Sequence, residues 1–279
     1  MIRLRRDAVD SPSSHPPLRL KYVEAVLSIG FALTFIAWTR LSAPGPLAPN
    51  ADPSSSGGPF GLDLLLPAPV AYPRSAAGQL AEAFAILTHP LIVLAVTATW
   101  VVYAYTGRMR RLSVSLAIAA TGIPVQFLIA LHLARPTPGA TFTDSIAAFA
   151  HAYPNAHVTA MTLASWVLVT LARAHHRSAM VAAGTVLGYA AVVMTAVSQW
   201  YMGLATLSDL IGGFLLGAAF ANLALWVGGI DAILTSWVNR RLSRASSEKR
   251  AAVIYNPTKF DDLSLLRRRV AAEVRAAGW

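Results

Sequence analysis

Six apolar runs of near-bilayer length, joined by short arginine-bearing turns, leave few folds open to this chain of 279 residues. The runs are 22–41, 83–105, 112–134, 157–172, 179–201 and 203–227. A helix needs about 20 consecutive apolar residues to cross hydrocarbon. Composition agrees: the chain is 55% hydrophobic and only 13% charged, against about 25% charged in an ordinary soluble domain. The sequence therefore predicts an all-α integral membrane protein, a six-transmembrane-helix bundle followed by a short cytoplasmic βα tail.

The net charge of +10 invites a nucleic-acid reading. The placement of the arginines argues against one. They cluster at Arg3, Arg5, Arg6 and Arg19, at Arg108, Arg110 and Arg111, at Arg173 and Arg177, and from Arg240 onward. With six spans all four clusters fall on one side, which the positive-inside rule makes cytoplasmic. Both termini are then expected in the cytoplasm of a plasma-membrane protein, with loops 42–82 and 135–156 outside. The bilayer is the expected partner and no nucleic acid is. The absence of cysteine excludes a disulfide framework and a thiolate metal site. No metal or other cofactor is expected. The polar, proline-bearing start is no cleavable signal, so the first span is expected to be retained.

The organisation follows: a tail over 1–21, a membrane domain over 22–228, a basic juxtamembrane segment over 229–250 and a distinct piece over 251–279. Loop 42–82 is rich in Pro, Gly and Ser, and no chemistry is assigned to it. In 229–250, Ile230, Ile233, Leu234, Trp237, Val238 and Leu242 share one helical face beside Arg240, Arg241 and Arg244. That suits an interfacial helix at an anionic leaflet, or a simple extension of the sixth span. In the last piece Ala251 to Tyr255 reads as a strand. Asp261 or Asp262 caps a helix carrying Leu263, Leu266, Val270 and Val274. The run Val253-Ile254-Tyr255-Asn256-Pro257-Thr258-Lys259 resembles the opening of the diacylglycerol kinase and sphingosine kinase catalytic domain. The sequence ends at Trp279, ahead of that family's glycine-rich loop. No kinase activity is expected, and a remnant fusion or docking element is.

Three short segments carry candidate chemistry. Arg135-Pro136 closes the third span. Pro154-Asn155-Ala156-His157 opens the fourth. Ser198-Gln199 ends the fifth, with Gly203, Ala205, Ser208 and Asp209 following. Their layout resembles the three-part signature of the type-2 phosphatidic acid phosphatase superfamily. That pattern has a lysine before Arg-Pro, then Pro-Ser-Gly-His, then Ser-Arg with a histidine and an aspartate beyond it. The resemblance implies a lipid phosphomonoester ligand. Three cations and backbone N–H groups would steady its charge, one histidine would attack phosphorus and another would protonate the leaving oxygen.

On that alignment His157 and Asp209 are the catalytic candidates. Arg135, Asn155, Ala156, Ser198 and Gln199 are the phosphate-binding ones. The departures matter as much. The lysine position holds Leu128, the second arginine has become Gln199, and the attacking histidine has become Ala205. A methyl group cannot attack, and loss of a nucleophile costs several orders of magnitude in rate. His132 and His151 are the nearest substitutes in sequence. His157 and Asp209 can also be read as ordinary helix-start groups, and Gly212, Gly213 and Gly217 as packing glycines.

Three readings remain. The first is a divergent member that binds a lipid phosphate and hydrolyses it weakly at most. The second is an active phosphatase with another nucleophile. The third is an anchor or regulatory partner for a cytoplasmic lipid kinase domain. A second copy of the chain is a further candidate partner. On the first reading, Ala205→His with Gln199→Arg and Leu128→Lys is expected to restore activity, because Asp209 lies about one turn beyond position 205.

Overall fold

The computed structural model describes residues 23–42, 59–67, 69, 72–138, 142, 144–174, 178–229 and 262–276. Nine α-helices are described: α1 (Val23–Ser42), α2 (Leu62–Leu65), α3 (Ala76–Leu87), α4 (Pro90–Thr106), α5 (Arg110–Leu133), α6 (Ala156–Ala174), α7 (Ser178–Tyr201), α8 (Leu207–Gly228) and α9 (Leu263–Ala276). Among the described residues there is no strand, only an isolated bridge between Pro136 and His151. Five stretches are long and apolar enough to cross a membrane: Val23–Ser42, Ala76–Thr106, Arg110–Leu133, Val181–Tyr201 and Leu207–Gly228. The apolar part of α6, Ala156–Val169, is shorter. The protein is an all-α integral membrane fold.

Helix α8 is the axis of the bundle. Two thirds of its apolar window (67%) is buried, against 17% for α1 and 28% for the α7 window. It packs on α1, α5 and α6, and α6 in turn packs on α7. Two things allow this closeness. A Cβ on Gly213 would lie 2.6 Å from the Asn155 carbonyl oxygen, and one on Gly217 would lie 2.8 Å from Thr162 Cβ. Small residues of this kind let backbones approach where lipid offers no hydrophobic drive. Hydroxyls then bridge the helices. Ser28 donates to the Ala219 carbonyl (2.9 Å), Thr159 to Gly213 (3.1 Å) and Ser165 to Gly188 (2.9 Å).

Two span boundaries differ from expectation. The second span is not continuous over 83–105. It begins at Ala76 and breaks at Thr88-His89, where α4 restarts on Pro90 at its first turn. Proline lacks an N–H and disfavours helix in the residue before it, and the His89 side chain caps the new start through the Leu91 N–H (3.3 Å). The sixth helix begins at Leu207, not Gly203. Gly203 has φ 68° in the turn before it.

The ends of the bundle are chemically distinct. Ser42, Arg135, Asn155, His157 and Asp209 gather at one end. The 107–111 turn, the end of α8 and the tail helix α9 gather at the other. There Arg268 of α9 donates to the Gly229 carbonyl, and the Arg111 guanidinium lies beside Gly229. The expected tail helix is present. The expected strand at 251–255 and the interfacial segment after Gly229 lie outside the described residues, as does the tail over 1–21.

Candidate functional site

Chain geometry at the motif end is set by how α5 stops. Ala134 takes a left-handed conformation (φ 48°, ψ 31°), so Arg135 leaves the helix in a new direction. The Arg135 carbonyl accepts the Ala152 N–H (3.0 Å), which aligns the Arg-Pro segment with the loop leading to α6. Asn155 then caps α6, its side chain accepting from the Val158 N–H (3.0 Å). Its own N–H donates to the Asp209 carbonyl (3.1 Å). Caps of this type satisfy N–H groups that a helix start leaves free.

The Arg135 guanidinium is enclosed by acceptors. Nη1 lies 3.2 Å from Asp209 Oδ1, and Nη2 lies 3.2 Å from Asp63 Oδ2. Nη1 also donates to the Ser208 hydroxyl (3.0 Å) and to the carbonyl of Ser42, the last residue of α1 (3.2 Å). A cation there also complements the negative end of that helix. Asp209 spends its other oxygen locally. Oδ2 accepts from the Thr206 N–H (2.8 Å) and hydroxyl (2.9 Å), fastening the first turn of α8.

Asp63 was not singled out in the sequence, and loop 42–82 was given no chemistry. That reading is corrected here. Asp63 Oδ1 accepts the Ser208 N–H (2.9 Å), and Oδ2 accepts the Ser208 hydroxyl (2.7 Å).

His157 belongs to a different neighbourhood. It is fully buried, and its Nε2 donates to the Ala147 carbonyl (3.0 Å). A carbonyl only accepts, so Nε2 carries a proton, and Nδ1 has no hydrogen-bond partner. Its ring meets His89 edge-on at 5.7 Å between centroids and Phe149 at 5.5 Å. Neither ring nitrogen bonds to Arg135 or Asp209. Thus Arg135 and Asp209 come together, and His157 adjoins them through the backbone of Asn155 alone.

The remaining candidates serve as struts. Ser198 donates to the Ala81 carbonyl (2.8 Å), tying α7 to α3. Gln199 is buried and accepts a long bond from Asn155 Nδ2 (3.4 Å), with its own Nε2 unpartnered. Ala156 is buried at the first position of α6. Tyr153 is fully buried. Burial pushes its hydroxyl up to about 12 while a bond with Thr39 (2.7 Å) opposes the shift, so it stays neutral. His132 is exposed on α5, off any shared face with Arg135 because the helix ends between them. His151 pairs by backbone with Pro136, its buried Nδ1 without a partner.

No protein-family model matches the chain, and no curated protein does. A solved structure resembles it. The crystal structure of a transmembrane PAP2-type phosphatidylglycerolphosphate phosphatase from Bacillus subtilis superposes with a TM-score of 0.51 at 15% identity. The match covers 78% of this chain and 98% of that one. The fold is that of a PAP2-type membrane phosphatase. Two of the positions where the sequence departs from the motif can be placed in this fold. Ala205 is fully buried in an apolar cluster with Val158, Val192 and Leu210. Leu128, where the motif carries lysine, is 64% exposed.

Proposed function

We propose that this protein binds a lipid phosphomonoester at the motif end of its PAP2 fold and hydrolyses it weakly at most. The observation that carries the reading is the pairing of a donor-rich cluster with a missing nucleophile. Arg135, the Ser208 hydroxyl and the N–H groups opening α8 form a place suited to anions. Position 205, where attack on phosphorus would begin, holds a methyl group enclosed by aliphatic side chains. Within this reading Arg135 is the main phosphate contact, Asn155 and Ala156 position α6, and Ser198 and Gln199 brace α7. Asp209 holds Arg135. His157, the acid candidate, bonds neither Arg135 nor Asp209 and spends its Nε2 proton on the Ala147 carbonyl, which accords with weak hydrolysis at most.

The ligand class follows the fold neighbour, a phosphatidylglycerolphosphate phosphatase. The site is on the extracytoplasmic face of the plasma membrane and the termini are cytoplasmic, in accord with Arg108, Arg110 and Arg111 in the turn at the opposite end.

The test is phosphate release and equilibrium binding by protein reconstituted in phosphatidylcholine nanodiscs. The ligands are phosphatidic acid, phosphatidylglycerolphosphate and a polyprenyl phosphate. Saturable binding without release comparable to an intact-motif phosphatase supports the reading. Efficient turnover would replace it with an active enzyme using another nucleophile. Orientation is read with an impermeant thiol reagent on whole cells, since the chain has no native cysteine. Labelling of Arg110→Cys, with none of a cysteine at Thr137, would reverse the topology.

A further inference from the structure

The donors that would hold a phosphate already hold an anion of the protein's own. We propose that Asp63 is an internal ligand of the anion site, and that it sets which anions enter by having to be displaced. This rests on the phosphomonoester-binding reading above and deepens it.

Three donors from two distant parts of the chain converge on one carboxylate: the Ser208 N–H at 2.9 Å, the Ser208 hydroxyl at 2.7 Å and Arg135 Nη2 at 3.2 Å. A backbone N–H in the first turn of a long helix, a hydroxyl and a guanidinium are what a phosphate oxygen would seek. Both Asp63 oxygens are engaged. An incoming phosphate therefore finds the donors taken and two carboxyl groups, Asp63 and Asp209, flanking the one cation among them.

The segment bearing Asp63 is lightly attached otherwise. Helix α2 buries none of its residues. Phe60, Leu64 and Leu65 are 84%, 71% and 73% exposed. Phe60 and Gly61 both have left-handed backbones (φ 59° and 72°), costly for phenylalanine. Besides Asp63, a side-chain tie among the described residues of α2 and its flank is Trp200 Nε1 to the Leu66 carbonyl (3.2 Å). The carboxylate is the anchor, and an anion that replaces it releases the segment.

The experiment uses the full chain in phosphatidylcholine nanodiscs, titrated with dioctanoyl phosphatidic acid and, separately, inorganic phosphate. Asp63→Asn and Asp63→Ala should bind the lipid about tenfold tighter than wild type, because a flanking like charge is gone. Leu64→Ala should match wild type, and Arg135→Gln should lose binding. A gain with phosphatidic acid alone assigns the site to lipid headgroups, and a gain with both probes assigns it to any phosphomonoester or free phosphate. A fluorophore on Leu65→Cys should shift at saturation in the wild-type background and stay still with Arg135→Gln. If wild type binds and the Asp63 variants bind no tighter, or if Leu65 reports no change at saturation, the internal-ligand proposal is overturned and the binding reading stands. If no variant binds either probe, both fall.

Discussion

Around Arg135 each charged group faces an opposite one, whereas around His157 the neighbours are rings and backbone carbonyls. The first cluster joins four separate parts of the chain: the end of α1, helix α2, the end of α5 and the start of α8. The second joins the α3–α4 break, the loop before α6 and α6 itself. Both gather at the motif end, two residues of backbone apart at Asn155. The difference teaches that one end of a bundle can be held by two unlike means, ion pairs in one cluster and ring packing in the other. A cluster of ions that satisfies itself is retained as structure. An imidazole with no ion beside it keeps a free nitrogen and nothing to protonate.

The sharpest way to break the comparison is to remove the cation. Arg135→Gln leaves Asp63 and Asp209 facing each other without compensation. Removing one partner of a buried pair costs about 3–5 kcal/mol. Thermal unfolding in detergent should show this loss, and Asp63→Asn in the same chain should recover part of it. No recovery would mean that the two residues do not act as a pair.

The next effect concerns position 205. Ala205→His inserts an imidazole among Val158, Val192 and Leu210, and overpacking of this kind costs about 1–3 kcal/mol. Asp209 Oδ2 is held by Thr206, and Oδ1, which has no hydrogen-bond partner, lies 3.2 Å from Arg135 Nη1, so a new ring would have to compete with that cation. Phosphate release should not rise, even with Gln199→Arg. A clear rise would show that the helices part to admit a nucleophile, and that the first cluster is less closed than its hydrogen bonds imply.

His157→Phe probes the second cluster. It keeps the ring contacts with His89 and Phe149 and removes the bond to the Ala147 carbonyl. A buried acceptor left unsatisfied costs about 1–3 kcal/mol. The expected loss is at the lower end, below that of Arg135→Gln by the same unfolding measurement. Equal losses would erase the distinction between the two clusters.

How much of this was legible depends on range. The spans could be read because apolar runs and arginine turns are local signals. The break at Thr88-His89 was announced by Pro90 and missed by treating 83–105 as uniformly apolar. The packing role of Gly213 and Gly217 was readable from their place in an apolar run. Asp63 was not readable. It is an acidic residue in a Pro-, Gly- and Ser-rich stretch, 72 residues from Arg135 and 145 from Ser208. Leu128 shows where helical spacing stops being a guide. Seven residues make two turns, but α5 ends at Leu133 and a left-handed Ala134 intervenes, so positions 128 and 135 do not share a face.

The smallest expected effect lies at the opposite end, where it serves as a control on both clusters. Asp262 caps α9, its Oδ1 accepting from the Leu265 N–H (3.0 Å) and the Ser264 hydroxyl (2.6 Å). Burial raises its pKa, but those bonds and the nearby Arg111 outweigh it, so the carboxyl sits below its ordinary 3.8. A depressed folded value means the stabilisation is complete above the ordinary carboxylate range and is lost as pH falls through the folded value. Asp262→Ala should cost the tail helix about 1 kcal/mol. Amide exchange at Leu265 and Leu266, corrected for intrinsic rate, should speed up in the variant at pH 7. In wild type it should speed up only on acidification below that range. Arg135 and His157 variants should leave this exchange unchanged. A change there would mean that the motif end and the tail are coupled through α8.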